Sequence, residues 1–62
     1  MIHMQVGVRY VVKVSSECQE FRAGDLIALN ADGSIDNFRA RGTMDAEDVA
    51  EAMRGAVIEV AA

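Results

Sequence analysis

The chain has 62 residues and a mass of 6.7 kDa, with 52% hydrophobic residues, 26% charged residues and a formal net charge of -4. These values exclude a multidomain protein and a disordered tail, and they indicate one small globular domain spanning residues 1–62. Cys18 and His3 are the only cysteine and histidine, which excludes an internal disulfide and a zinc site built from such ligands. We therefore expect no metal and no other cofactor, and we expect so small a core to be supported by another chain or a second copy.

The first predicted element is a long strand. In Met4–Val14 the even-numbered residues are apolar and the odd-numbered residues are mostly polar. This alternation predicts a strand with one buried face. Gly7 predicts a bulge or bend within it. A polar connection, Ser15–Gln19, follows, and Gly24 then predicts a tight turn over Ala23–Asp25 because glycine adopts a positive φ without steric cost.

A hairpin comes next along the chain. The apolar segment Leu26–Leu29 predicts a second strand, Asn30–Gly33 is a turn sequence, and Ser34–Phe38 is expected to return as a third strand. The turn also resembles part of a calcium-binding loop, but the first and last ligand positions would fall on Ala28 and Arg39, where carboxylates are required. We interpret it as a hairpin turn and assign no metal ligand.

The segment Thr43–Arg54 changes to a helical period. Thr43 or Asp45 is suited to cap its start, the acids of its first turns suit the helix dipole, and Gly55 suits a left-handed cap at its end. The next segment, Ala56–Val60, returns to β-forming residues and predicts a closing strand. The apolar stripe of the helix consists of Ala46, Val49, Ala50 and Met53.

These elements together predict an α+β fold. We expect a small, mainly antiparallel sheet of three to four strands in the order β-β-β-α-β, with one helix packed on one face and the last strand paired with the first. Such a sheet has edge strands whose unpaired backbone groups invite a second copy or another protein to add a strand. One helix on a small sheet leaves little concave volume, so we expect no small-molecule substrate.

Catalysis would require an activated nucleophile beside a base. Cys18 has acids, Glu17 and Glu20, rather than a base near it in the sequence, and the only histidine, His3, lies at the terminus. We interpret Cys18 as an ordinary loop residue, assign no catalytic residue and predict that the chain is not an enzyme. An enzyme whose turnover depends on Cys18 is the minority hypothesis.

Charge is distributed unevenly along the chain. Basic and acidic residues cancel within residues 1–42, whereas residues 43–62 contain Arg54 and five acids, one positive and five negative charges, and so account for the net charge of -4. An acidic end and few aromatic residues disfavour nucleic-acid binding. The longest apolar run, Leu26–Leu29, is too short to cross a membrane, and the N-terminal residues lack the features of a signal peptide. We expect a soluble, cytoplasmic protein without nucleic-acid or membrane partners.

Four charged residues are candidates for contacts with a protein partner. Glu47 and Glu51 lie on the acidic helix face, which is either simply solvated or able to bind a basic patch or imitate a phosphate backbone. Arg39 and Arg41 follow Phe38 and form a small basic spot of a kind that occurs at interfaces. We expect both arginines to lie in solvent and Phe38 to lie in the core or at its margin.

Four segments carry a resemblance to a known family: Val8–Val14, the turn Phe21-Arg22-Ala23-Gly24, the acidic helix Met44–Arg54 and the strand Ala56–Val60. In this order they resemble the small proteins encoded in the head-gene region of Mu-like phages and prophages. Those proteins run from a strand through a Phe-Arg-Arg-Ala-Gly turn to a short acidic helix and a closing strand. This chain has one arginine fewer in the turn, has Gly55 and Ala56 where the family has a proline, and differs from it over Leu26–Phe38. The resemblance implies a non-enzymatic protein of virion structure or assembly, found in the virion.

Sequence alone therefore predicts a non-enzymatic, phage-type protein-interaction module that acts in virion structure or assembly. Its expected partner is another protein or a second copy, as in a homo-oligomer. The alternative is a small acidic inhibitor or regulator that docks on a host or phage enzyme.

Overall fold

The computed structural model describes residues 3–61, which form a five-stranded antiparallel sheet and one short helix. The order across the sheet is β4-β3-β2-β1-β5, and all neighbouring strands are antiparallel. This confirms the α+β class with one helix and a mainly antiparallel sheet, although the sheet has five strands where three to four were expected. The elements are β1 (Arg9–Val14), β2 (Leu26–Leu29), β3 (Ile35–Asn37), β4 (Gly42–Met44), α1 (Ala46–Ala52) and β5 (Val57–Val60).

Strand β1 lies between β2 and β5 and carries the centre of the core. Tyr10 and Val12 are buried, as the predicted alternation requires, whereas Val6 and Val14, which were expected on the same buried face, are exposed. Tyr10 lies opposite Ile27 on one side and Val60 on the other. The strand begins later than Met4, because the chain turns at Gly7, whose φ is +83°. The expected pairing of the last strand with the first is confirmed.

Strand β4 and the start of α1 differ from the sequence prediction. Thr43 and Met44 were predicted to begin the helix, but together with Gly42 they form a strand that pairs with β3, with Met44 opposite Ile35 and Gly42 opposite Asn37. The Thr43 hydroxyl donates a hydrogen bond of 2.7 Å to Asp36 Oδ1 on the neighbouring strand. This cross-strand pairing outweighs a helical pattern that is weak over these three residues. Helix α1 therefore begins at Ala46, with Asp45 in the N-cap position.

The core lies between one face of the sheet, helix α1 and the loop that precedes β2. Phe21 from that loop is 2% exposed, and its burial is worth about 1.5–3 kcal/mol. Phe38 does not belong to this core, contrary to expectation, and is 42% exposed. It follows β3 on the opposite face, where the guanidinium carbon of Arg9 lies 5.0 Å from its ring centroid in a cation–π contact. The buried apolar residues are Tyr10, Val12, Phe21, Ile27, Ile35, Ala52, Met53 and Ala56.

Helix α1 has seven residues, and none of the helical structure described for residues 3–61 has the length and apolar character that a membrane crossing requires.

The contact between the β2–β3 turn and α1 yields a prediction about stability. Gly33 has a φ of +89°, and a Cβ there would lie 3.0 Å from the Cβ of Ala46. We expect Gly33→Ala to lower the free energy of unfolding by about 1–3 kcal/mol, because it adds backbone strain and a close contact. Urea unfolding followed by circular dichroism measures this change.

Gly42→Ala is the matched control. A Cβ at Gly42 meets no atom within 4 Å, and its backbone is not left-handed. Its free energy of unfolding should change by no more than about 0.5 kcal/mol. Equal losses in both variants would contradict the assignment of strain to Gly33.

Candidate functional site

A buried carboxylate anchors the β3–β4 turn, residues 38–41. The side chain of Asp25 is 0% exposed, and its Oδ2 accepts hydrogen bonds from Asn37 Nδ2 at 2.7 Å and from the backbone N–H of Arg22 at 3.0 Å. Its Oδ1 accepts the Nε–H of Arg39 in an ion pair. The carboxylate thereby joins the loop before β2 to the end of β3 and to the following turn.

Asn37 extends the same network into the turn. While its amide nitrogen donates to Asp25, its Oδ1 accepts the backbone N–H groups of Arg39 and Ala40, both at 3.1 Å. Throughout residues 3–61, each buried side-chain nitrogen or oxygen atom has a hydrogen-bond partner. The turn is therefore held in one conformation by side chains, and it presents residues 38–41 to solvent as a fixed unit.

The environment of Asp25 determines its charge. Burial by itself raises the pKa of a carboxyl, but the hydrogen bonds from Arg39, the Arg22 backbone and Asn37, together with the Arg39 charge, lower the pKa of Asp25 to about 2. The same pair raises the pKa of Arg39. Asp25 is therefore ionised at neutral pH and neutralises Arg39.

The predicted partner-binding residues fall into two groups on either side of β4. Arg39 and Arg41 lie in the turn before β4; Arg41 is exposed, whereas Arg39 is 52% exposed and ion-paired with Asp25, so it is less free than expected. Glu47 and Glu51 lie on the exposed side of α1, and Glu51 accepts a hydrogen bond of 2.7 Å from Arg54. Strand β4 thus separates a basic turn from an acidic helix.

The start of α1 concentrates negative charge. Carboxylate oxygens of Asp45, Glu47 and Asp48 all lie within 4.8 Å of one another, and all three residues are exposed. We refer to Asp45, Glu47, Asp48 and Glu51 as the acidic helix surface. Arg54 offsets part of its charge at the far end through Glu51, so the excess lies close to β4.

Cys18 occupies the loop position that the sequence predicted. It is exposed, its Sγ donates to the carbonyl oxygen of Ala52 at 3.4 Å, and it lies 3.7 Å from Ser16 Oγ. His3 is also exposed. The thiol therefore helps to hold the loop against the end of α1, and its contacts are with a backbone oxygen and a hydroxyl.

An open apolar groove separates α1 from the sheet. Its volume is about 770 Å³, which is more concave space than the sequence led us to expect. Its lining includes the small residues Gly33, Ala46 and Gly55. The complete lining is Met4, Leu29, Gly33, Ile35, Ala46, Val49, Ala50, Met53, Arg54, Gly55 and Ala56. A groove of this composition suits an apolar side chain rather than proton transfer.

The sheet ends in two exposed edges of different character. Strand β5 exposes Val57 (50%) and Val60 (66%), and Glu59 forms an ion pair with Lys13 of β1 at 3.5 Å. Strand β4 exposes Gly42 and Thr43, and Met44 packs against the core. On the core side of β4, a small hollow of about 150 Å³ lies between the strand and the loop residues Glu20 and Phe21.

Comparisons of the chain with models of protein families, with characterised proteins and with solved structures found no match.

The Asp25 network predicts a dependence of stability on pH. The pKa of Asp25 is lower in the folded chain than its ordinary value of 3.8, so its contribution to stability is complete above that value and is lost as the pH falls towards about 2. We expect the wild-type chain to lose about 2 kcal/mol from this group between about pH 5 and pH 2. Chemical denaturation across this pH range measures the loss.

Asp25→Asn should remove this part of the pH dependence. It should also lower stability at neutral pH by about 2–4 kcal/mol, because an amide nitrogen would face hydrogen-bond donors at a buried position. Glu47→Gln, at an exposed carboxylate, is the control and should behave as the wild type does. If the free energy of unfolding falls equally with decreasing pH in the wild type and in Asp25→Asn, a group other than Asp25 causes the pH dependence.

Proposed function

We propose that the chain is a non-enzymatic protein-interaction module of the phage type that acts in virion structure or assembly. The observation that carries this proposal is the presence of two exposed sheet edges, β4 and β5, on either side of a small core. Edge strands present backbone donors and acceptors to which another chain can add a strand. The exposed Val57 and Val60 add apolar area to the β5 edge.

The positions of the polar groups support a binding role over catalysis. The carboxyl with the strongly lowered pKa, Asp25, is buried and ion-paired with Arg39, which is the arrangement of a structural pair. The Cys18 thiol hydrogen-bonds to a backbone oxygen at the end of α1. The reactive types of side chain are therefore used to hold loops, while the exposed surface carries charges and strand edges.

The phage assignment rests on the resemblance to Mu-like head-region proteins. In the structure, the turn motif of that resemblance has a clear local role, since Phe21 fills the core and Gly24 turns the chain with a φ of +98°. The acidic helix and the closing strand of the resemblance correspond to α1 and β5. The resemblance thus lies in residues that form the fold of this chain, and it is the reason to extend the virion role to this chain.

Two measurements test the proposed function. Multi-angle light scattering over micromolar to millimolar concentrations should show association of the purified chain. Mass spectrometry of particles recovered after prophage induction in the source strain should find the chain as a stoichiometric component. A strictly monomeric chain that is also missing from the particles would contradict the proposal.

A second function, an acidic inhibitor or regulator of a host or phage enzyme, is favoured by the acidic helix surface. Binding through that surface should be sensitive to salt and to charge reversal. We expect Glu47→Lys with Glu51→Lys to weaken binding to such an enzyme by about tenfold or more. Glu17→Lys with Glu20→Lys changes the net charge equally, but in the loop before β2, and should have a much smaller effect. Binding that persists in both variants and at high salt would show that the acidic surface is only solvated.

A further inference from the structure

We infer that β4 is a self-pairing edge, through which two copies of the chain join their sheets about a two-fold axis. In this arrangement Thr43 lies opposite Thr43 of the second copy, and Arg41 lies close to Asp45 of the second copy. The inference rests on the proposed interaction function and names the partner as a second copy of this chain. It follows from the direction of the backbone groups of β4 and from the charges at the two ends of the strand.

The hydrogen bonds of the β2–β3 hairpin give the direction of the backbone groups in β3. The backbone N–H of Phe38 donates to the carbonyl of Leu26 at 2.9 Å, and that of Asn30 donates to the carbonyl of Ser34 at 2.8 Å. Residues 34, 36 and 38 therefore bond towards β2. Because bonding alternates along an antiparallel strand, residues 35 and 37 bond towards β4.

The same alternation places the backbone of Thr43 at the outer edge. Met44 lies opposite Ile35 and Gly42 lies opposite Asn37, so these two residues of β4 bond inward. Thr43, between them, directs its N–H and carbonyl away from the sheet. Its side chain is exposed and is held by its hydrogen bond to Asp36. In the part of the chain that is described, residues 42–44 make no backbone hydrogen bond outside the sheet ladder.

Antiparallel pairing of two such edges brings opposite charges together. Arg41 precedes β4 and is exposed, and Asp45 follows β4 and is exposed. If Thr43 faces Thr43 of the second copy, Gly42 faces Met44. Arg41, which ends the turn before β4 with a left-handed φ of 56°, then comes close to Asp45, and the two-fold axis repeats each contact. Glu47 and Asp48 lie beside Asp45 and strengthen the negative end. Cross-strand threonine pairs and opposite charges both favour this register.

The other edge lacks this complementarity. The backbone N–H of Ala61 donates to the carbonyl of Arg9 at 2.9 Å, so Glu59 also bonds inward, and Ile58 and Val60 direct their backbone groups outward. A two-fold pairing of Ile58 with Val60 would place Glu59 directly opposite Glu59 of the second copy. Like charges in this position are destabilising. The registers that pair Ile58 with Ile58 or Val60 with Val60 avoid this contact, but they place Glu59 opposite Val57 or Ala61 and pair no opposite charges. Charge therefore favours β4 as the edge at which two copies meet.

The test uses charge reversal in two separate chains. Arg41→Glu places acids opposite acids in its own dimer, and Asp45→Lys places bases opposite bases. Each variant alone should dimerise about tenfold or more weakly than the wild type. An equimolar mixture of the two variants should recover dimers. In a mixed dimer, each residue at position 41 meets a residue of opposite charge at position 45 of the other chain. Sedimentation velocity at matched concentrations measures the dissociation constants, and circular dichroism verifies that each variant is folded.

A backbone variant and a matched control accompany these chains. Thr43→Pro removes an outward N–H without removing a bond of the β3–β4 ladder, and it should also weaken the dimer. Lys13→Glu with Glu59→Lys reverses an ion pair near the β5 edge and should leave the dimer unchanged.

A wild-type chain that stays monomeric at millimolar concentration would overturn the inference. Dimers that are equally strong in all the variants would also overturn it, but they would leave the proposed interaction function intact with a different surface. The particle analysis tests that function independently of β4.

Discussion

The fold of this chain depends on one buried carboxylate. Asp25 lies directly before β2. Its carboxylate simultaneously accepts hydrogen bonds from the backbone of its own loop, from Asn37 at the end of β3 and from Arg39 in the next turn. Without these bonds the β3–β4 turn would keep only the hydrogen bonds of its backbone and of Asn37 Oδ1, and β4 is only three residues long. An ionised carboxylate is expensive to bury, so this arrangement is stable because several donors surround it. The network therefore positions both the basic turn and the edge strand that follows it.

Helix α1 has a different role, because it carries the chain from one edge of the sheet to the other. It follows β4 and precedes β5, and it covers the core with Ala52 and with Met53 at its C-cap. Seven residues are too few for a stable helix in isolation, so α1 depends on this packing. Its small residues leave the groove open, and its outer side carries the acidic surface. One short element thus determines where the apolar groove, the acids and the two free edges lie relative to one another.

Much of this architecture is readable from the sequence, and the exceptions have physical reasons. Alternation over Met4–Val14 and the turn at Asn30–Gly33 are local signals, and they correctly predicted β1 and the hairpin. Strand β4 carries no such signal, because Gly42–Met44 is short and is held by pairing with β3. For the same reason the strand count was too low and the predicted helix too long at its start.

The candidate site divides in the same way. The exposed positions of Glu47, Glu51 and Arg41 agree with their sequence environment, whereas the pairing of Arg39 with Asp25 joins residues that are distant in the chain. A signal was present, since Asp25 has the same parity as the buried Ile27 and should have indicated an inward carboxylate. Phe38 was expected in the core or at its margin on hydrophobicity alone, and the sequence offers no sign that Arg9 would cover it on the outer face.

The backbone at Arg41 is left-handed, with a φ of 56°. Glycine or asparagine would adopt this conformation more easily, and an ordinary side chain there costs about 1–2 kcal/mol. For a domain of this size, that cost is a large part of the total free energy of unfolding. The chain thus has a positively charged residue at a position where glycine or asparagine would make the fold more stable. Selection for higher thermal stability would therefore favour replacing Arg41, and such a replacement would remove the positive charge that precedes β4.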